Sequence, residues 1–193
     1  MGANEIEISD RFWAVNADFG PTAFTYASLA EMTADADLIV VGRVVGTRMG
    51  GPVPVDDPGG EQARPVRFGV VAVDEVVKGR PNMLDAGVVL VRSLSSQDAT
   101  VGGLPPEQFV IFLKSYEQLQ AEFGKGLYND ANDRFYYARP NGYQAVLRNI
   151  NGVLTVVEGL DGEAAAPGAF PAPLAGQPFD DVLEAIRQAV AAG

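Results

Sequence analysis

The chain has no cysteine and no histidine. Those absences exclude disulfides, thiolate nucleophiles, zinc sites built on Cys or His, haem ligation by His, and a Ser-His-Asp triad. Positive charge is scarce too: 14 Lys and Arg stand against 25 Asp and Glu, leaving a net charge of −11. The basic residues are scattered, with no run of them anywhere. A nucleic acid and an anionic membrane surface are therefore not expected as partners. Long apolar runs are also missing. The longest covers residues 109–113, whereas a membrane helix needs about twenty apolar residues, so no membrane insertion is expected. The first ten residues are acidic and lack an apolar h-region, so no signal peptide is expected in them. A cytoplasmic chain and the mature form of an exported one both fit.

What is present describes a globular protein. The 193 residues are 47% hydrophobic, enough for the core of one domain. The 22 glycines and 13 prolines favour many turns and short strands over a helical bundle. Residues 1–27 show no clear period but carry Phe12, Trp13, Phe19, Phe24 and Tyr26; they read as an extended arm packed on the core. Ser28 and Glu31 have capping-box spacing and open a short helix ending near Asp35, with Leu29 and Met32 on one face.

Strands follow. Residues 38–47 are rich in Val and Ile, and Gly42 and Gly46 mark a bulge or bend. Residues 49–64 read as a long Gly/Pro loop. Residues 66–77, 87–93 and 108–114 read as three more strands, 116–123 as a short helix, and 135–138 as a short strand. Asn151-Gly152, between 143–149 and 153–157, is a hairpin signal because both residues accept positive φ. Residues 159–177 are an Ala/Pro/Gly linker by composition. The clearest helix spans 178–191. Pro178 stands at its first position, Phe179, Val182, Leu183, Ile186 and Val190 form one face, and Asp180 and Asp181 sit at the positive end of the dipole.

The segments Ala36-Asp37-Leu-Ile-Val-Val-Gly42, Phe68-x-Val70-x-x-Val73, Val76-Val77-Lys78-Gly79, Phe109-Val-Ile-Phe-Leu113 and Gly142-Tyr143-Gln-Ala-Val146 follow one another in an order that carries a resemblance. Over residues 28–158 the chain resembles bacterial extracytoplasmic proteins with small OB-like barrels, akin to the netrin and metalloproteinase-inhibitor barrel. The resemblance implies a mainly β fold: a small antiparallel OB-like closed barrel of five or six strands, with a short helix before it and the C-terminal amphipathic helix covering an opening or edge. It also implies a place outside the cytoplasmic membrane. The inhibitors of that fold chelate zinc through an N-terminal Cys, and this chain has none.

Several clusters carry possible chemistry. Asn129, Asp130, Asn132 and Asp133 crowd oxygens into one stretch, but without the Gly and distant Glu of an EF-hand loop. They read as a solvated turn, and no metal is assigned. Asp56-Asp57 reads as a loop acid pair. Asp74-Glu75 would suit acid/base hydrolysis if both faced a cleft, yet strand neighbours point to opposite faces. A bulge or strand-end turn is the plainer account. Ser93, Ser95 and Ser96 have no His to activate them and no S-x-x-K lysine. The Gly pairs at 50–51, 59–60 and 102–103 match no phosphate loop and read as turns.

The densest signal is Phe135, Tyr136, Tyr137 and Tyr143, with Arg134 and Arg139 on either side of the first three. Tyr and Arg dominate interface hot spots, although aromatics are also ordinary in sheets. The expected function is a non-catalytic binding or interaction module for a protein, peptide or glycan partner, through Arg134, Tyr136, Tyr137, Arg139 and Tyr143. No cofactor is expected. The alternative is a carboxylate-dependent hydrolase or calcium-dependent enzyme, which needs two acids converging from separate strands.

Overall fold

The computed structural model describes residues 1–17, 26–53, 64–81, 87–93, 103–115, 135–138, 145–156 and 170–193. The fold is mainly β: a seven-stranded sheet with helices. Helix α1 spans Ala3–Ala17 and α2 spans Leu29–Asp35. The strands are β1 (Leu38–Val53), β2 (Arg64–Lys78), β3 (Val88–Ser93), β4 (Phe109–Ser115), β5 (Phe135–Ala138), β6 (Val146–Ile150) and β7 (Val153–Val156). A 3-10 turn (Ala172–Leu174) precedes helix α3 (Phe179–Ala192). Among the described residues, no helix is long and apolar enough to cross a membrane.

The sheet order is β1-β2-β3-β5-β4-β6-β7, and β1 also pairs with β4. All pairings are antiparallel except β3 with β5. One edge of β4 takes β1. Its other edge is divided, with residues 109–111 pairing with β6 and 113–115 with β5.

Two cores lie on opposite faces of the shared strands. The valine core takes Leu38, Val40 and Val44 of β1, Val71 of β2, Val89 and Val91 of β3, Phe109, Ile111 and Leu113 of β4, and Val146 of β6, together with Phe12 and Trp13 of α1. The helix-covered core takes the alternate residues Ile39, Val41, Val110, Phe112 and Leu147, under α2 and α3. β1 and β4 thus bury both faces, which is why their sequences run apolar without alternation.

Local chemistry explains the joints. The β1–β2 ladder shifts register between Val41 and Gly42 and again between Val44 and Gly46, so both flagged glycines do lie at bulges. At Gly42 a Cβ would come within 2.3 Å of the Ala72 carbonyl oxygen; only glycine lets the strands approach there. Asn151 (φ 56) and Gly152 (φ 84) form the β6–β7 turn, as their sequence requires. The Ser28 hydroxyl accepts from the Glu31 amide at 3.2 Å, while the Glu31 carboxylate accepts from Ala27 N at 2.8 Å. The capping box is present, with its second donor displaced by one residue, from Ser28 to Ala27.

Four expectations need correction. Residues 3–17 are helical, not extended: Glu5 accepts from the Gly2 amide at 2.7 Å, and Glu7 pairs with Arg11 one turn on. The loop expected at 49–64 is shorter, because residues 49–53, including Gly50 and Gly51, continue β1, and Arg64 already pairs with Val53. Residues 170–177 are not a linker, since Phe170 is buried in the helix-covered core and residues 172–174 form the 3-10 turn. Pro178 caps α3 rather than opening its first turn, with ψ of 131°. The helix expected at 116–123 lies outside the described residues.

Candidate functional site

β5 carries the centre of the tyrosine strip. It lies between β3 and β4, with Tyr136 in register with Val91 and Ser115, and Tyr137 with Arg92 and Lys114. The register brings a third arginine, Arg92, opposite Tyr137, a neighbour that no local pattern foretells because β3 and β5 are far apart along the chain. Arg134, Arg139 and Tyr143 lie outside the described residues, as do Asn129–Asp133, Asp56-Asp57, Ser95 and Ser96. Ser93 closes β3 opposite Arg67.

The β4 side of this site is fastened to α2. Lys114, almost wholly buried, holds Asp35 at 3.0 Å, and the Tyr26 hydroxyl donates to the same carboxylate. Asp37 accepts from the Ser115 amide at 2.9 Å and from its hydroxyl at 3.1 Å. Lys78 donates to the carbonyls of Thr33 and Ala34 at 2.7 and 2.9 Å, closing the end of α2 where cations are favoured. The strand that β5 pairs with is therefore held by charge and hydrogen bonds as well as by packing.

Asp74 and Glu75 do not converge. Asp74 is the extra residue of a bulge, since Val41 pairs with Glu75 and Gly42 with Val73. It meets Arg43 at 3.0 Å and accepts from Gln108 at 2.8 Å. Glu75 turns to α3 and takes both arms of Arg187, at 2.8 and 3.0 Å. Hydrogen bonding to Glu75 is the main cause raising the Arg187 pKa above its ordinary value. Each carboxylate thus answers to its own cation, on a different element.

One polar cluster was not anticipated. Beneath α1, a Glu107 carboxylate oxygen accepts from the Ser9 hydroxyl, from Trp13 Nε1 at 2.9 Å and from Arg148 Nε at 3.0 Å. Arg148 also donates to Ser9 Oγ and to Asp10, each at 2.7 Å. Ser9, Glu107 and Arg148 are all buried, and the second Glu107 oxygen has no hydrogen-bond partner among the described residues. The available signal was Arg148 itself, a charge at an otherwise apolar position of the β6 hairpin. Among the described residues no group of three or more acids gathers as a metal site. No model of a protein family matches the chain, and no curated protein matches it.

Proposed function

We propose that this protein is a non-catalytic binding module whose partner, a protein, peptide or glycan, docks on the tyrosine strip of β5. The observation that carries the reading is the pairing of β5 with β3 and β4, which gathers Tyr136 and Tyr137 with Arg92 and Lys114. Tyr137, in register with Arg92 and Lys114, is the residue the test replaces, and we assign Tyr136, Arg134, Arg139 and Tyr143 to the same contact. The hydrolase reading draws no support from Asp74 and Glu75, each engaged by a separate arginine.

The scaffold we propose is a small closed barrel of OB type. In its support, the pairings run β1-β2-β3-β5-β4 and return from β4 to β1, and β1, β3 and β4 send alternate residues into the valine core. We also propose, from the resemblance alone, that such a module acts outside the cytoplasmic membrane. The test is capture on peptide and glycan arrays, followed by titration of the best hit. Tyr137→Ala should weaken capture by roughly 1–3 kcal/mol, the range for an aromatic hot spot, with the melting temperature unchanged. Capture unaffected by Tyr137→Ala would overturn the assignment. So would turnover of an arrayed glycan that is abolished by replacing one Asp or Glu.

A further inference from the structure

We infer that the outer edge of β1, from Arg43 to Arg48, accepts an extended acidic peptide as an additional strand. β1 is paired on both edges only as far as Gly42, where its ladder with β4 ends at Phe109. Beyond that point, the described residues supply β2 alone as a partner. Every second residue of such an edge presents an N–H and a C=O outward, the template that strand addition uses. Gln108, which precedes β4, reaches Asp74 beside Arg43, and beyond Arg43 the edge is open among the described residues. Val45 is 52% exposed, and a side-chain carbon added to Gly46 would meet no atom within 4 Å.

Charge selects the occupant. In a chain of net charge −11, this edge carries two exposed arginines, Arg43 and Arg48. Arg48 has no ion pair among the described residues, and the Asp74 partner of Arg43 belongs to the adjoining strand. Because Val45 is the extra residue of a bulge, Arg43 and Arg48 stand opposite Ala72 and Phe68, four residues apart on β2, or roughly 13 Å at about 3.3 Å per residue. An antiparallel strand with acids four residues apart, both on one face, would set one opposite each. A second copy of this chain is disfavoured by the same arrangement. Antiparallel self-pairing centred between Val45 and Gly46 sets Arg43 against Arg48, and like charges facing across strands are destabilising. The two arginines thus favour one partner and reject another. The bulge at Val45 breaks the regular ladder, so the added strand is short and its binding is weak and reversible.

The experiment uses the whole protein and a labelled ten-residue peptide of alternating Val and Thr with Glu at two positions four apart, read by fluorescence anisotropy at low salt. The expected result is binding roughly threefold to tenfold tighter than for the same peptide with Lys in place of Glu. Arg48→Glu should abolish or invert that preference. N-methylation of alternate peptide amides should remove binding, which separates strand addition from simple charge attraction. Equal binding of the Glu and Lys peptides would overturn the inference, as would full binding by the N-methylated peptide. Self-association of the wild-type chain through this edge, lost when excess peptide is added, would assign the edge to a second copy and overturn it too. Tyr137→Ala leaves this readout unchanged, so failure here is distinct from failure of the β5 site.

Discussion

The two cores are joined to their helices by opposite means. In the helix-covered core, α3 lays Phe179, Val182, Leu183 and Ile186 against Ile39, Val41, Phe112 and Leu147, all apolar, and keeps its charges at the rim. In the valine core, α1 contributes Phe12 and Trp13, edge-on to each other, with Trp13 also edge-on to Phe109, but its seat is the buried Ser9–Glu107–Arg148 cluster. Apolar burial is non-directional and tolerates small displacements. A buried hydrogen-bonded ion pair tolerates few, because each misplaced group loses its partner in a medium that cannot solvate it. The difference teaches that α3 is held mainly by area and α1 mainly by position.

Breaking the α1 seat should have the largest effect. Glu107→Ala leaves Arg148 buried with only Ser9 and Asp10, and removing one partner of a buried pair costs about 3–5 kcal/mol. Trp13 is the only tryptophan in the chain, so its fluorescence reports the seat directly. Urea unfolding should show the loss, and native emission should shift to the red as α1 lifts. Glu107→Gln keeps an acceptor for Trp13 and should lose less. A Glu107→Ala protein with unchanged stability and emission would show that packing of Phe12 and Trp13 alone holds the helix.

The helix-covered core is probed by Leu183→Ala. A buried Leu-to-Ala change costs about 2–5 kcal/mol, depending on how far the site collapses. Leu183 retains slight exposure at the helix edge, which places the expected value in the lower half. Native Trp13 emission should not move, because the tryptophan sits across the shared strands in the other core. A red shift with Leu183→Ala would mean that β1 and β4 transmit displacement between the cores.

The same contrast explains what could be read in advance. α3 was legible to within a residue because its buried face follows a helical period that depends on no other element. The α1 helix was not. Of its residues 3–13, the two large buried ones are consecutive and the third is Ser9, and the reason a serine is buried there is Glu107, 98 residues away. Strands were legible wherever Val and Ile cluster, and the Asn151-Gly152 turn is set by local φ alone. The parallel β3–β5 pairing and the divided edge of β4 are long-range choices that no local pattern encodes. The β5 site follows suit: Tyr136 and Tyr137 were visible as a composition, whereas their neighbours Arg92 and Lys114 come only from register.

The smallest effect sharpens the comparison most. Arg187 and Glu75 form an ion pair with two hydrogen bonds, a better-formed contact on paper than Glu107 makes with Arg148. Yet both partners are more than a third exposed, so water screens the attraction and solvates either group when the other is removed. Exposed pairs are worth about 0–1 kcal/mol, and less as salt rises. Arg187→Ala should therefore lower stability by no more than roughly 0.5 kcal/mol in moderate salt, most of it absent at high ionic strength. The two arginines engage glutamates with similar geometry and differ in burial. Unfolding curves for Arg187→Ala and Glu107→Ala in one buffer thus isolate what burial contributes. Should Arg187→Ala cost as much as Glu107→Ala, α3 would also be held by position, and the distinction between the two cores would fail.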